Sequence, residues 1–184
     1  MNEVLNVIKS RRSVRNFKPE QISEESLDLI LEAGIYAPTA HNDQPWHFTV
    51  IQNEDFLRYI NEKTREAMAG SDIEWIKKMG SNPAFNVTYS APTLILVSGR
   101  KDGIAWEADC AAAIENILLA AESLDIGSVW LGLVKFFYDQ EGEKEKLGIP
   151  EGYQPYYGIA LGYKAVVRKD FIPKRNRDII NYIR

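Results

Sequence analysis

Three short segments hold residue types that could do chemistry. Arg11-Arg12-Ser13-Val14-Arg15 is the densest cationic cluster of the chain. Guanidinium groups make bidentate, charge-assisted bonds to phosphate oxygens, and a serine hydroxyl adds a donor. If residues 13–16 run extended, side chains alternate, so Ser13 and Arg15 share one face while Arg12 points away. One group could then hold a phosphate while Arg15 reaches another part of the same ligand. Taken alone, the cluster also fits a solvated surface patch. The second segment, residues 37–48, has Pro38, Thr39, Ala40, Asn42, Gln44, Pro45 and Trp46 between a helical and a strand pattern. Proline fixes φ and holds the residue before it extended, so this loop is stiff. A stiff polar loop beside aromatics suits a flat heteroaromatic ligand with amide-like edges, or merely connects a helix to a strand around a core Trp. The third, residues 124–133, contains Gly127 and Gly132, where backbone N–H groups can approach a ligand closely. It is neither GxGxxG nor GxxxxGK[ST], so the usual dinucleotide and P-loop signatures are absent.

The elements that must position these residues can be read from periodicity. Val4, Leu5 and Ile8 start a short helix running to Arg11 or Arg12. Ser23 reads as an N-cap, with Glu24 and Glu25 in the first turn of a helix that ends by Pro38. Residues 47–52 alternate as a strand and 54–68 form an amphipathic helix. Residues 70–89 are polar, broken by Gly80 and Pro83, and are expected to form a mobile loop or lid. Residues 93–98 make a continuous apolar strand of the kind buried on both faces. Residues 105–124 are apolar nearly all round, which points to a central helix or one at a subunit interface. A strand over 127–133, a short acidic–basic helix over 139–147 and a strand over 156–163 follow. Helices and strands mix without strict alternation. The expected class is α+β, with helices packed on a mostly antiparallel sheet.

Composition narrows the function. The chain has 184 residues, 45% of them hydrophobic, and a single cysteine, Cys110. A chain of this length forms one domain, residues 1–184, and buries roughly 70% of its unfolded surface without a disulfide or metal staple. Two histidines, His41 and His47, and no CxxC pattern make a poor metal site. No apolar run approaches a membrane span, and the polar N-terminus lacks a signal-peptide core, so the cytoplasm is the expected location. Charge is uneven. Residues 1–20 hold five Lys/Arg and two acids (net +3), residues 164–184 seven and two (+5), and residues 21–163 ten and 22 (−12). Basic ends on an acidic body suit a small anion held where the ends meet; the acidic bulk would repel a nucleic acid.

Arg11-Arg12-Ser13-x-Arg15-x-Phe17, Ala37-Pro38-Thr39-Ala40-x-Asn42-x-Gln44-Pro45-Trp46-x-Phe48, Leu124-x-Ile126-Gly127-Ser128-x-Trp130-x-Gly132, and Pro173-Lys174-Arg175 before Ile179-Ile180-Asn181-Tyr182, taken together, resemble the FMN-dependent nitroreductase family. The resemblance spans essentially the whole chain. It implies an α+β sandwich homodimer with two FMN sites at the interface, each built from both chains, and termini (here residues 164–184) that embrace the partner. Arg11, Arg12 and Ser13 match phosphate and ribityl contacts, and Arg175, with Lys174 behind it, the C-terminal phosphate contact. Arg15 matches a cation at the pyrimidine edge, where reduced flavin is negative, so it should raise the reduction potential. Pro38, Thr39, Ala40 and Asn42 match the stretch that reaches the flavin from the other subunit. Leu131 and Gly132 match the strand end whose backbone approaches flavin N5; some members carry Glu where Gly132 stands. The family's polar pyrimidine contact falls to Asn82 or Asn86, and Phe17, Trp46 or aromatics of residues 75–85 could wall the ring.

The implied activity is hydride transfer from NADH or NADPH through FMN to a nitroaromatic, quinone or similar acceptor, in ping-pong fashion. Other chemistry on the same fold (reductive dehalogenation or flavin fragmentation) and a non-catalytic flavin carrier stay open.

Overall fold

The computed structural model describes residues 2–166 and 173–184. Helix α1, Glu3–Ser10, starts where Asn2 Oδ1 accepts from the Val4 N–H at 2.9 Å, with Glu3 and Lys9 at the ends that suit their charges. The chain then extends along the edge of the sheet. Helix α2, Glu24–Ile35, begins at the expected cap, where Ser23 Oγ accepts from the Ser26 N–H. It stops three residues before Pro38. Strand β1, Trp46–Ile51, leads into α3, Glu54–Ala69, which is capped by Asn53. After α3 come α4, Glu74–Gly80, then β2, Thr93–Arg100, α5, Trp106–Ser123, β3, Ile126–Leu131, the single-turn α6, Lys135–Tyr138, and β4, Tyr153–Tyr163.

The four strands form one sheet in the order β1-β2-β4-β3, every neighbouring pair antiparallel. β2 is buried from Thr93 to Gly99, as its unbroken apolar run implies. Alternation splits it between two cores. Ile95 and Val97 pack with Ile30 of α2 and Ile114, Ile117 and Leu118 of α5. Leu94 and Leu96 face the other way, toward Leu57 and Ile60 of α3 and Phe137 of α6. Each fully buried Ile, Leu or Phe contributes about 1.5–3 kcal/mol, so this two-sided burial holds the sheet between helical layers.

The structure corrects two expectations. Residues 70–89 contain α4, which packs on α3 with Ile76 and Gly80 buried. Polar composition concealed this because only one face of the segment is covered. Residues 139–147 are not a helix: Gly142, left-handed at φ 77°, interrupts them, leaving α6 before and a 3-10 turn, Glu145–Leu147, after. Helix α5 is fully covered along one face within this chain. Ala113, Ile114, Ile117 and Ala121 face the core, while Ala111, Ala112 and Leu119 stay half-buried. Residues 173–184 form neither helix nor strand, and Ile179, Ile180, Tyr182 and Ile183 are exposed.

A polar tie joins α3 to the segment after α6. Tyr59 Oη donates to Glu143 Oε1 at 2.7 Å, and Lys146 Nζ donates to both carboxylate oxygens at 3.0 and 2.9 Å. Burial pushes the Glu143 carboxyl up, but the bonds from Lys146 and Tyr59 outweigh it and hold the group below the usual carboxylate range. A lowered folded-state pKa contributes stability above the unfolded value and loses it as pH falls through the folded one. Glu143→Gln should therefore flatten the acid limb of the unfolding midpoint plotted against pH, below the usual carboxylate range. A second expectation concerns Gly80, where an added Cβ would lie 2.3 Å from Ala69 N and 2.6 Å from the Met68 carbonyl carbon. Gly80→Ala must push α4 off α3 and should cost about 1–3 kcal/mol, read as a fall in Tm.

Candidate functional site

The N-terminal cations are placed by backbone pairing. Ser13 bridges in parallel to Ser128 of β3, with the Val14 N–H on the Ser128 carbonyl at 2.9 Å. Phe17 then pairs antiparallel with Lys164. Ser13 and Arg15 share the exposed face the extended reading requires, with Val14 packed on the core between them, but the alternation ends there: Asn16 is exposed and Phe17, two residues after Arg15, is buried. Arg12 turns back instead, its Nη1 donating to the carbonyls of Lys9 at 2.6 Å and Arg11 at 2.7 Å. A cation is favourable there, at the negative end of α1.

A cleft of about 650 Å³ opens beside this segment, lined by Ser10 to Asn16, Glu122, Lys164, Val166, Pro173 and Arg175. Arg11, Arg12, Arg15 and Arg175 thus meet around one space, although 160 positions of sequence separate the third from the last. Glu122, the one acid among the described lining residues, is held by Lys164 at 2.9 Å, and Lys164 also reaches Asp125 at 3.0 Å. Burial pushes the Lys164 ammonium down, but the bonds to Glu122 and Asp125 outweigh it and raise its pKa above the ordinary lysine value. Arg11 Nε lies 3.6 Å from Glu115 Oε1. The donor set is that of an organic-phosphate site, and the volume falls within the roughly 300–1,000 Å³ of small-molecule pockets. Lys174 is exposed and does not line the cleft; its neighbours Pro173 and Arg175 do.

Leu131 closes β3, buried, and Gly132 follows it. Three residues separate Ser128 from Leu131, about 10 Å of strand at ~3.3 Å per residue. A Cβ at Gly132 would meet Tyr157 Cε1 at 3.6 Å, an ordinary contact, so the position has room for a side chain and its freedom is not demanded by packing.

Pro38, Thr39, Ala40 and Asn42 do not line the cleft of their own chain. They sit in a strained loop: His41, Asn42 and Gln44 have φ of 53°, 57° and 45°. Such residues cost roughly 1–3 kcal/mol each and persist only when the surroundings over-determine them. Here the Ala40 N–H lies 3.3 Å from both carboxylate oxygens of Asp109, which is buried in α5. Arg100 binds Asp43 at 2.8 Å, and Thr39 Oγ1 accepts from the Gln44 N–H at 3.4 Å.

One expected ring wall, Phe17, is a core residue, while Trp46 is half-buried against the α2–α5 core. Trp75 is exposed, and Phe85 packs on the α3 side of the sheet. Asn82 is taken up by a turn, its Oδ1 accepting from the Ala84 N–H. Sequence reading missed the Glu122–Lys164 pair, because a lysine within a basic terminus carries no local mark of an acid partner 42 positions away. His47 lies edge-on to Tyr153, with ring centroids 5.7 Å apart. Cys110 is fully buried, and burial together with Asp109 pushes its thiol up to about 12, so it is a core residue. Among the described residues no cluster of three or more His, Cys, Asp or Glu could hold a metal, and no helix is long and apolar enough to cross a membrane.

An antiparallel sheet between helical layers, with an arginine-lined cleft at its edge, defines an α+β sandwich. The model of the nitroreductase family matches residues 8–163, and the chain belongs to that family. It is 36% identical over 177 residues to an Archaeoglobus fulgidus protein whose name marks it as a candidate NADH dehydrogenase/NAD(P)H nitroreductase; the match covers 96% of this chain and 94% of that one. It is 26% identical to the NAD(P)H-dependent FMN reductase of Bacillus subtilis, over 90% of this chain and 67% of that protein. A Bacteroides fragilis nitroreductase crystallised with FMN superposes with a TM-score of 0.91 at 37% identity, over the full length of both chains. A Desulfitobacterium hafniense nitroreductase with bound FMN gives 0.89 at 29%, again with both chains fully covered.

If Asp109 holds the 39–44 loop in its strained shape, Asp109→Ala should release it. Hydrogen–deuterium exchange should rise at Ala40 and its neighbours while the α3 side of the sheet stays protected.

Proposed function

We propose that this protein is an NAD(P)H-dependent FMN oxidoreductase that works as a homodimer and reduces a nitroaromatic, quinone or similar electrophilic acceptor. The observation that carries the proposal is the convergence of Arg11, Arg12, Arg15 and Arg175, from opposite ends of the chain, on one cleft. Family membership and FMN-bound neighbours of the same fold support it.

Arg11, Arg12 and Ser13, with Arg175, hold the phosphate and ribityl chain; Lys174 adds positive field from outside the cleft. Arg15 faces the pyrimidine edge, and the backbone at Leu131 and Gly132 approaches N5. FMN, when bound, supplies the hydride-accepting and two-electron-donating chemistry that no side chain of the protein has. The chain's own work is to bind, orient and place positive charge. No protein acid or base is assigned to the reaction. Nicotinamide and acceptor occupy the same open face in turn, which predicts ping-pong kinetics.

The homodimer supplies what one chain lacks. The accessible surface is 11,500 Å², against roughly 9,000 Å² expected for a compact monomer of this mass. Val4, Leu5 and Ile8 on α1 and Ile179, Ile180, Tyr182 and Ile183 in the tail leave apolar surface uncovered. Pro38, Thr39, Ala40 and Asn42, absent from their own cleft, serve the site of the second copy. A cytoplasmic location fits a consumer of reduced nicotinamide, and the acidic body disfavours nucleic acid.

Purified protein should be yellow, and Arg11→Ala or Arg175→Ala should bind FMN about ten- to a hundredfold more weakly, the weight of one charge-assisted contact. Both variants should purify largely colourless. Absorption spectra and FMN titration measure this, sedimentation measures the dimer, and NADH or NADPH oxidation with a quinone measures turnover. A well-folded monomer that takes up no FMN would overturn the proposal.

A further inference from the structure

Tyr89 and Ser90 are consecutive non-glycine residues in the left-handed region, at φ 55° and 57°. They are the two central residues of a tight turn, closed by the Ala91 N–H on the Thr88 carbonyl at 3.1 Å just before β2. Backbone of this kind persists where its surroundings enforce it, and it concentrates at functional positions. Asn86 enforces it. Its Oδ1 accepts from the N–H groups of Thr88 at 3.0 Å and Ser90 at 3.1 Å and from the Thr88 hydroxyl at 2.9 Å. Thr88 is anchored in turn to α3, where Asn61 Nδ2 donates to Thr88 Oγ1 at 3.1 Å and Asn61 Oδ1 accepts from the Thr88 N–H at 3.3 Å. The result of this elbow is the position of one ring. Tyr89 packs against the core and sets its ring 5.7 Å from the guanidinium carbon of Arg15.

Arg15 could have been held by a carboxylate. Among the described residues no acid lies within ion-pair distance of it, and the Tyr89 ring is its partner. The two choices differ electrostatically: an acid would fix the guanidinium but cancel its field, whereas a ring face fixes it and leaves the charge whole. We propose that Tyr89 is a positioning residue for Arg15, holding an uncompensated positive charge at the pyrimidine edge of the bound flavin and so raising the flavin's reduction potential. The inference rests on the FMN reading above and adds to it a residue outside the arginine cleft.

The test compares the holoprotein with Arg15→Ala, Tyr89→Phe, Tyr89→Asn and the Arg15→Ala/Tyr89→Asn pair. Asparagine removes the ring yet tolerates left-handed backbone. FMN affinity and the flavin reduction potential, set against a reference dye, are the readouts; a merely structural role would leave the potential unmoved. Tyr89→Phe should match wild type. Tyr89→Asn should weaken FMN about twofold to thirtyfold, the span of a cation–π contact from exposed to desolvated settings. It should also lower the potential in the same direction as Arg15→Ala, and it should add nothing once Arg15 is gone. A wild-type potential in Tyr89→Asn, or an equal loss with and without Arg15, overturns the inference. If Tyr89→Asn fails to fold, Tyr89→Gly, which relieves the backbone while removing the ring, gives the same two outcomes. Wild-type protein that binds no FMN would sink the oxidoreductase reading itself. Wild type that binds FMN, with a potential shifted by Arg15→Ala but not by Tyr89→Asn, would sink only the role given to Tyr89.

Discussion

The hydrogen bond from the Val14 N–H to the Ser128 carbonyl is small, but the arrangement of charge depends on it. It lays the segment after α1 along the edge of β3, and the two-residue period of an extended chain turns Ser13 and Arg15 outward with Val14 inward between them. Beyond Arg15 the alternation breaks: Asn16 stays exposed, and Phe17 turns into the core where it bridges to Lys164, just past the end of β4. A one-residue slip at Val14 would bury Arg15 and expose Val14, and desolvating a guanidinium without a partner is costly. Register at this edge and the location of positive charge are therefore a single constraint.

Left-handed residues cluster in two loops, at His41, Asn42 and Gln44 and again at Tyr89 and Ser90. Both are held by a side chain that accepts from backbone N–H groups: Asp109 beneath the first and Asn86 within the second. The rigidity of the sheet makes such clamps effective, because Asp109 stands on α5 and the Asn86 elbow is tied to α3, the two helices that cover opposite faces of β2. Loop shape is thus set from both helical layers.

Much of this was legible beforehand wherever a local signal had a local cause. The cap at Ser23, the doubly buried β2 and the alternation of Ser13 and Arg15 follow from rules that act over a few residues. Helix α4 was not legible, since Gly80 and Pro83 look like loop punctuation until α3 is present to receive Ile76 and a glycine pressed against its backbone. The expected helix over 139–147 failed for a related reason. Glu143 and Lys146 read as a helix-surface pair, yet Tyr59, 84 positions before Glu143, draws that acid into a buried tie.

Residue order alone determined the continuous apolar strand at the centre, the basic ends on an acidic body and the motifs that place the chain among nitroreductases. Those properties depend on neighbours along the chain, where spacing and periodicity are enough. Tertiary structure decided that Arg175 meets Arg11 and Arg12, that Lys164 neutralises Glu122, that Phe17 belongs to the core, and that Arg15 rests against Tyr89. Each of these joins groups tens of positions apart or more, and only the closing of the sheet brings such groups within the few ångströms over which charge and hydrogen bonding act.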